Sequence, residues 1–223
     1  MRRLVLLAVA LVWRIGPALA ADPPLVPMSP ELRKFMSDPE EEKIVKAQAL
    51  HDWNNTVLGC TTPPTLDAAN VVVGVAPKFD KAGKPVSGSW RVITRLSGCG
   101  QAKNFSLLYA FAANGKMVRL GMLPGSSAAD PILQRDAFMY ANIAMSKLTP
   151  PGCKDFKYLD TSFEAFGPPG AGVPAGREAR SWTEKWKVWS CGVEGIVKLY
   201  FTPDATGTAI SARLNETVAV PSK

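Results

Sequence analysis

The chain has 223 residues, of which 47% are hydrophobic and 20% are charged, and it contains four cysteines and one histidine. This composition excludes a disordered tail, a collagen-like repeat and a multi-helix membrane protein. A chain of this length can bury a large core without a metal or a cofactor, so we expect one or two compact domains.

The N-terminal segment 1–20 has the layout of a secretory signal peptide. Arg2 and Arg3 precede the apolar run 4–13, and the triplet Ala18-Leu19-Ala20 marks a cleavage point. The apolar run is about half as long as a helix that crosses a bilayer, so no transmembrane span is expected after the signal is removed. We therefore predict a periplasmic or secreted protein that begins at Ala21.

The net charge of the mature chain is moderate. Removal of 1–20 takes away three arginines and leaves 23 basic and 19 acidic side chains. The basic residues form no long run and do not concentrate on one predicted element. Nucleic acid is therefore not expected as a partner.

Four dipeptides recur along the mature chain at a spacing of 92 or 93 residues. Four recurrences in one register predict two copies of one unit of about ninety residues. The predicted organisation is a signal peptide at 1–20, an N-terminal extension at 21–37, a first repeat at 38–125 and a second repeat at 126–223. The recurring pairs begin at Asp38 and Asp130, Gly59 and Gly152, Ser89 and Ser181, and Cys99 and Cys191.

Each copy is predicted to open with an amphipathic helix. Asp38 and Asp130 suit the N-cap position, and the proline that follows each of them suits the first helical position. Apolar residues at helical spacing follow in both copies. They are Val45, Ala49 and Trp53 in the first, and Leu133, Ala137, Tyr140, Ala144 and Leu148 in the second.

Strand signals follow each predicted helix, so the predicted fold class is α+β, a tandem duplication of a helix plus a four-stranded antiparallel sheet. The stretch from Pro168 to Gly176 is rich in proline and glycine and is predicted to be a loop that the first copy lacks. The strands are predicted at 71–79, 90–96, 105–112 and 117–123, and at 156–166, 182–190, 193–202 and 208–214.

The even number of cysteines in an exported chain favours disulfides over a thiol nucleophile or a zinc site, and no C-x-x-C spacing is present. The repeat favours the pairs Cys60–Cys99 and Cys153–Cys191, which give one disulfide per copy. The alternative is four buried free thiols.

The segment 182–192, with 201–204 and 207–208 after it, resembles a pattern in small exported proteins of proteobacteria that have no assigned function. The tandem layout with one disulfide per copy also resembles the architecture of the β-lactamase inhibitory protein family. That family holds an enzyme on an aromatic-rich concave sheet. The resemblance concerns architecture alone and carries over no contact residue and no catalytic residue.

Few residues in the sequence suggest catalysis or metal binding. His51 lies beside Asp52, but the chain has no Gly-x-Ser-x-Gly elbow and no second histidine for a typical zinc site. The glutamates at 40–42 are explained by the positive end of the helix dipole rather than by calcium. We therefore expect no cofactor, no metal site and no catalytic residue.

Two functions from different classes remain open. The first is a non-enzymatic exported binding protein, with an envelope protein or a glycan as its partner. The alternative is an envelope hydrolase or a small-ligand carrier, in which Glu164, Glu178 and Glu184 converge in a cleft between the repeats. The single histidine and the lack of a catalytic motif favour the first.

The tryptophans of the predicted strand 182–190 indicate where a partner binds. Trp182 and Trp186 point to one face of that strand, whereas Trp189 and Lys187 point to the other. An exposed aromatic suits a protein or glycan partner, and the alternative is that Trp189 packs against the other copy. With the 168–176 loop included, the candidate partner-binding residues are Trp189, Lys187, Pro169 and Val173.

Overall fold

The computed structural model describes residues 26–170, 180–205 and 207–221. The predicted signal peptide with its cleavage point, most of the 168–176 loop, Val173 and Glu178 lie outside these residues. None of the helices in the described ranges is long and apolar enough to cross a membrane.

The described residues form helices and two antiparallel sheets, which confirms the α+β class. The first sheet has the order β1-β2-β3-β4; the second has the order β5-β6-β7-β8, and β9 also pairs with β7. The elements are α1 (Pro30–Met36), α2 (Pro39–Thr56), β1 (Thr65–Phe79), β2 (Pro85–Gly98), β3 (Gln101–Phe111), β4 (Met117–Gly121), α3 (Pro131–Met145), β5 (Phe156–Pro169), β6 (Arg180–Ser190), β7 (Val193–Pro203), β8 (Thr208–Ala212), a short 3-10 helix (Leu214–Glu216) and β9 (Val218–Ala219).

Helices α2 and α3 begin where the Asp-Pro pairs predict. The Asp38 carboxylate accepts a hydrogen bond from the amide of Glu40, and the Asp130 carboxylate accepts from the amides of Ile132 and Leu133. Each aspartate therefore satisfies backbone donors that the first turn leaves without partners.

The predicted apolar stripe of α2 is buried against the first sheet. Ala49 and Trp53 form a cluster with Leu96 and Phe105, and Val45 belongs to a second cluster around Trp90 and Tyr109. The neighbouring Glu41 is also buried, and it accepts a hydrogen bond from the Tyr109 hydroxyl. The dipole therefore explains only part of the role of the glutamate triplet.

The N-terminal extension predicted at 21–37 contains α1, which is part of the first core rather than a segment outside it. Leu32 is fully buried, and the Phe35 ring meets Trp90 edge-on at 5.9 Å. The Trp90 indole N–H donates to the Met36 sulfur at 3.3 Å. The second half of α2 covers the Leu96 end of the sheet, so α1 is needed to cover the Trp90 end.

The turns β2–β3 and β6–β7 have the same local geometry. Each turn is a Cys-Gly pair with positive φ at both residues, 47° and 73° at Cys99-Gly100 and 45° and 88° at Cys191-Gly192. Two consecutive left-handed residues form the type I′ turn that matches the twist of a tight hairpin.

Both of these turns are held by disulfides. Cys99 is bonded to Cys60 and Cys191 to Cys153, with Cα–Cα distances of 5.9 and 6.2 Å. These are the two pairs that the sequence predicts, and no cysteine is free within the described residues. Each disulfide ties a hairpin turn to the chain that follows a helix.

A stacked pair of a tryptophan and another aromatic residue lies at corresponding places in the two sheets. Trp90 on β2 lies opposite Tyr109 on β3, and Trp182 on β6 lies opposite Phe201 on β7. The rings stack with centroids 5.0 and 4.8 Å apart. Trp90, Tyr109 and Phe201 are fully buried, and Trp182 is partly buried against the second core.

The predicted loop at 168–176 begins too early, because β5 continues through Pro168 and Pro169. Pro169 lies opposite Arg180, and the Ser181 hydroxyl donates to the Pro168 carbonyl at 2.9 Å. Proline is tolerated at a strand end because its missing N–H need not pair there. Side-chain donors supply the contacts that hold this end of β5 in place.

The linker between α3 and the first sheet joins the two sheets. The Gly125 amide donates to the Asn104 carbonyl of β3, and the Ser126 amide donates to the Thr161 carbonyl of β5, both at 2.8 Å. The Thr161 amide in turn donates to the Pro124 carbonyl at 2.8 Å. The linker therefore pairs with a strand on each side.

Candidate binding surface

Strand β6 presents two different faces. Glu184, Trp186 and Val188 are fully buried on the side that α3 covers. The alternate residues Lys185, Lys187 and Trp189 point to the opposite side, which we call the outer face of β5–β7. Trp189 and Lys187 therefore lie on one side and Trp186 on the other, as the alternation predicts.

A groove of about 720 Å³ lies between the outer face and the β2–β3 turn of the first sheet. Both disulfide-bonded turns contribute to its rim through Gly100 and Gly192. Its walls include Leu58, Gln101, Lys187, Trp189, Glu194 and Val220.

Trp189 is half-buried in the wall of this groove. It lies opposite Lys157 on β5, and the Lys157 ammonium sits over its ring at 5.1 Å from the centroid. One face of the indole is therefore covered by a cation, while its remaining surface borders the groove.

Lys187 forms an ion pair with Glu194 across the turn of β6 and β7. Lys187 Nζ lies 2.7 Å from a Glu194 carboxylate oxygen, and the two side chains are 37% and 31% exposed. Ion pairs this accessible contribute about 0–1 kcal/mol to stability. Lys187 and Glu194 can therefore separate and pair with charged groups of a bound molecule with little loss of fold stability.

Further lysines extend the charge of the outer face. Lys185 on β6 lies directly opposite Lys198 on β7, and both form ion pairs with Glu164, at 2.5 and 3.4 Å. The hydrogen bond from Lys185 lowers the pKa of the Glu164 carboxyl below its ordinary value. The carboxylate separates two ammonium groups that would otherwise repel each other.

Lys103 connects the two sheets beside the groove. Its ammonium donates a hydrogen bond to the Leu159 carbonyl of β5. Burial lowers the pKa of Lys103, and the nearby Asp160 carboxylate opposes that shift. This contact fixes the β2–β3 turn against the outer face of the second sheet.

The four candidate residues do not form one site. Pro169 lies opposite Arg180 at one end of β6, whereas Trp189 lies at the other end. Nine residues of extended strand separate these ends by about 30 Å. Lys187 and Trp189 share the groove, Pro169 does not line it, and Val173 lies outside the described residues.

Two of the three carboxylates of the alternative, hydrolytic hypothesis lie on opposite faces of the second sheet. Glu164 binds lysines on the outer face, whereas Glu184 is fully buried on the helix-covered face. Glu178 lies outside the described residues. The structure therefore does not bring Glu164 and Glu184 together in a cleft.

Glu184 has a structural position that the sequence analysis missed. One carboxylate oxygen accepts hydrogen bonds from the Ser127 hydroxyl, the amides of Ala128 and Ala129, and the Trp182 indole, at 2.8–3.3 Å. The other oxygen accepts from the Trp186 indole at 2.8 Å. The carboxylate thus anchors the linker to the core, and its inward-facing position between Trp182 and Trp186 is the signal that could have revealed it.

His51 is exposed on α2, where its Nε2 atom lies 3.0 Å from the Asn55 side-chain nitrogen. Within the part of the chain that the structure describes, no group of three or more histidines, cysteines or carboxylates could hold a metal ion.

Comparisons of the chain with models of protein families, with curated proteins and with solved structures found no match. The function is therefore inferred from the geometry of the chain itself.

Proposed function

We propose that the protein is an exported, non-enzymatic binding protein and that another protein docks on the outer face of β5–β7. The groove that contains Trp189 and Lys187 carries this proposal. It lies between two hairpin turns that disulfides hold rigid, so its shape exists before the partner arrives. A preformed surface loses less conformational entropy on binding than a flexible one.

The environment of Trp189 favours a protein over a glycan. Sugars stack on an uncovered aromatic face, but the Lys157 ammonium already occupies one face of this indole. Tryptophan at the centre of a mixed polar surface is typical of the residues that dominate protein–protein affinity. A glycan partner would instead require Lys157 to move away from the ring.

The charges of the outer face also suit a protein. Lysines and carboxylates are interspersed on the outer face and form weak, exposed pairs. This arrangement favours a partner whose surface also carries charges of both signs. A surface that binds a membrane or a nucleic acid would instead carry an excess of cations without carboxylates between them. The charged residues are Lys157, Lys185, Lys187 and Lys198 with Asp160, Glu164 and Glu194.

We also infer that the chain arose by tandem duplication, with units at 38–125 and 126–223. The aromatic pairs Trp90/Tyr109 and Trp182/Phe201 differ by the same 92 residues as the recurring dipeptides, and both sheets follow chain order. In that register Ser97 stands where the second unit has Trp189. The tryptophan of the docking surface is then a feature of the second unit alone.

The disulfides support an extracellular or periplasmic location, because such bonds persist in oxidising compartments. Export through a cleaved signal at 1–20 agrees with this location. The partner is therefore sought among envelope and secreted proteins.

Replacement of Trp189 by alanine tests the proposed function. We expect the variant to bind the partner captured from native envelope material more than about tenfold more weakly, because a central tryptophan carries about 2 kcal/mol or more. The melting temperature should change by about a few degrees, because the Trp189 side chain is half-buried rather than part of the core.

The matched control is Met139→Ala, which shortens an exposed apolar side chain on α3, away from the groove. This variant should capture the partner as the wild type does. Equal capture by Trp189→Ala, or a large loss of stability in that variant, would contradict the proposal.

A further inference from the structure

Arg91 on β2 is half-buried, and its side chain has no polar partner within the described part of the chain. Its side chain lies on the face opposite the buried residues Trp90 and Val92. Among the described residues, none accepts a hydrogen bond from its guanidinium or forms an ion pair with it. Arg95, on the same strand and the same face, instead lies 3.7 Å from Asp67 and is more exposed.

A half-buried cation without a counter-charge is unusual in a folded chain. Removing a charge from water is unfavourable unless an opposite charge or hydrogen bonds replace the water. Burial accordingly lowers the pKa of the Arg91 guanidinium. Perturbed ionisable groups that line a cavity are frequent at binding sites.

The cavity beside Arg91 is a cleft of about 680 Å³ between the two units, which we call the aromatic cleft. Its walls include Phe163, Phe166 and Trp182, and the first two rings pack with their centroids 4.8 Å apart. Its volume falls within the range of about 300–1,000 Å³ that is typical of small-molecule pockets.

Three other polar side chains of the cleft already have hydrogen-bond partners. Asp130 lines the cleft, but its carboxylate caps α3. The Ser127 hydroxyl donates to Glu184, and the Ser126 hydroxyl oxygen accepts from the Phe163 amide. The Arg91 guanidinium is therefore the cleft's available strong donor among these groups.

We propose that the aromatic cleft binds a small organic anion, in which a carboxylate or phosphate group is attached to an apolar body. The planar fork of Arg91 matches the geometry of such an anionic group. The aromatic walls bury the apolar body of the ligand. None of Arg91, Phe163 and Trp182 lines the groove at Trp189, so this site is separate from the proposed docking surface.

Two fluorescent probes with the same ring system test this proposal. Anilinonaphthalene sulfonate carries an anionic group, whereas phenylnaphthylamine is its uncharged counterpart. We expect the wild-type protein to bind one sulfonate probe per chain, about tenfold or more tightly than the neutral probe. The measurement is a fluorescence titration of the folded, exported protein.

The variant Arg91→Gln should bind the two probes with similar affinity and should melt no lower than the wild type, because Arg91 forms no hydrogen bond or ion pair with the described residues. The control Arg95→Gln should keep the preference of the wild type for the sulfonate. The variant Phe163→Ala should bind both probes more weakly, because it removes part of the apolar wall.

Competition against the bound sulfonate probe identifies the anionic group that the cleft accepts. Decanoate is the competitor that carries a carboxylate, and phenyl phosphate is the competitor that carries a phosphate. Displacement of the sulfonate probe by either one supports the proposal. Failure of both, a preference for the sulfonate that persists in Arg91→Gln, or a large loss of stability in Arg91→Gln would overturn it. Trp189→Ala should leave probe binding unchanged, so this test and the partner test can fail separately.

Discussion

Replacement of Glu184 by leucine is expected to lower the free energy of unfolding by about 3–5 kcal/mol. The change removes the acceptor for the Ser127 hydroxyl, two linker amides and two indole N–H groups, and Ser127, Ala129 and Trp186 among these donors are buried. Buried donors without acceptors are costly, and the linker would lose its anchor to β6. Urea denaturation measures the effect.

One further variant separates hydrogen bonding from volume at this position, and a second, elsewhere on the surface, is the control. Glu184→Gln keeps the shape and one acceptor oxygen, so it should lower stability by about 1–3 kcal/mol. Glu42→Gln, on the exposed side of α2, should change stability by no more than about 0.5 kcal/mol. If Glu184→Leu were as stable as the wild type, the proposed anchoring role would be wrong.

Loss of either disulfide should lower stability by about 2–5 kcal/mol. The bonds close loops with sequence separations of 39 and 38 residues, for which the chain-entropy model gives about 4 kcal/mol each. The double variants Cys60→Ala/Cys99→Ala and Cys153→Ala/Cys191→Ala should each show this loss in denaturant titrations, by a similar amount.

Peptide mapping without reduction provides the control for this prediction. It should find a Cys60–Cys99 peptide and a Cys153–Cys191 peptide in the exported protein. A Cys60–Cys153 peptide, or a double variant as stable as the wild type, would contradict the assigned role of the disulfides.

Local chemistry made several parts of the fold predictable. The Asp-Pro pairs mark the starts of α2 and α3 because capping depends on neighbouring residues alone. The Cys-Gly turns and the cysteine pairing follow from the repeated register. Strand alternation placed Trp189 and Lys187 on the face opposite Trp186.

Other elements could not be predicted because their signal is short or comes from distant residues. Helix α1 has seven residues, too few for an apolar period, although Ser29-Pro30 is a start signal. Strand β1 begins at Thr65 rather than at the predicted Val71. Its first residues are all exposed and show no alternation of burial, so no buried face marks them as part of a strand.

The candidate sites depend on contacts between the units, which the sequence does not encode locally. The groove at Trp189 has its second wall at Leu58 and Gln101, from the first unit. That no described residue pairs with Arg91 is likewise a property of the folded chain. A charged residue in an isolated strand pattern gives no sign of which groups surround it.

Site-specific photo-cross-linking tests the proposed binding function most directly. A photoreactive phenylalanine analogue replaces exposed Gln101 on the groove rim in one variant and exposed Met139 on α3 in another. We expect irradiation in the native envelope to join the Gln101 variant to one protein partner, and Trp189→Ala to remove that product. No product from position 101, the same products from position 139, or a product that persists in Trp189→Ala would contradict docking on the outer face of β5–β7.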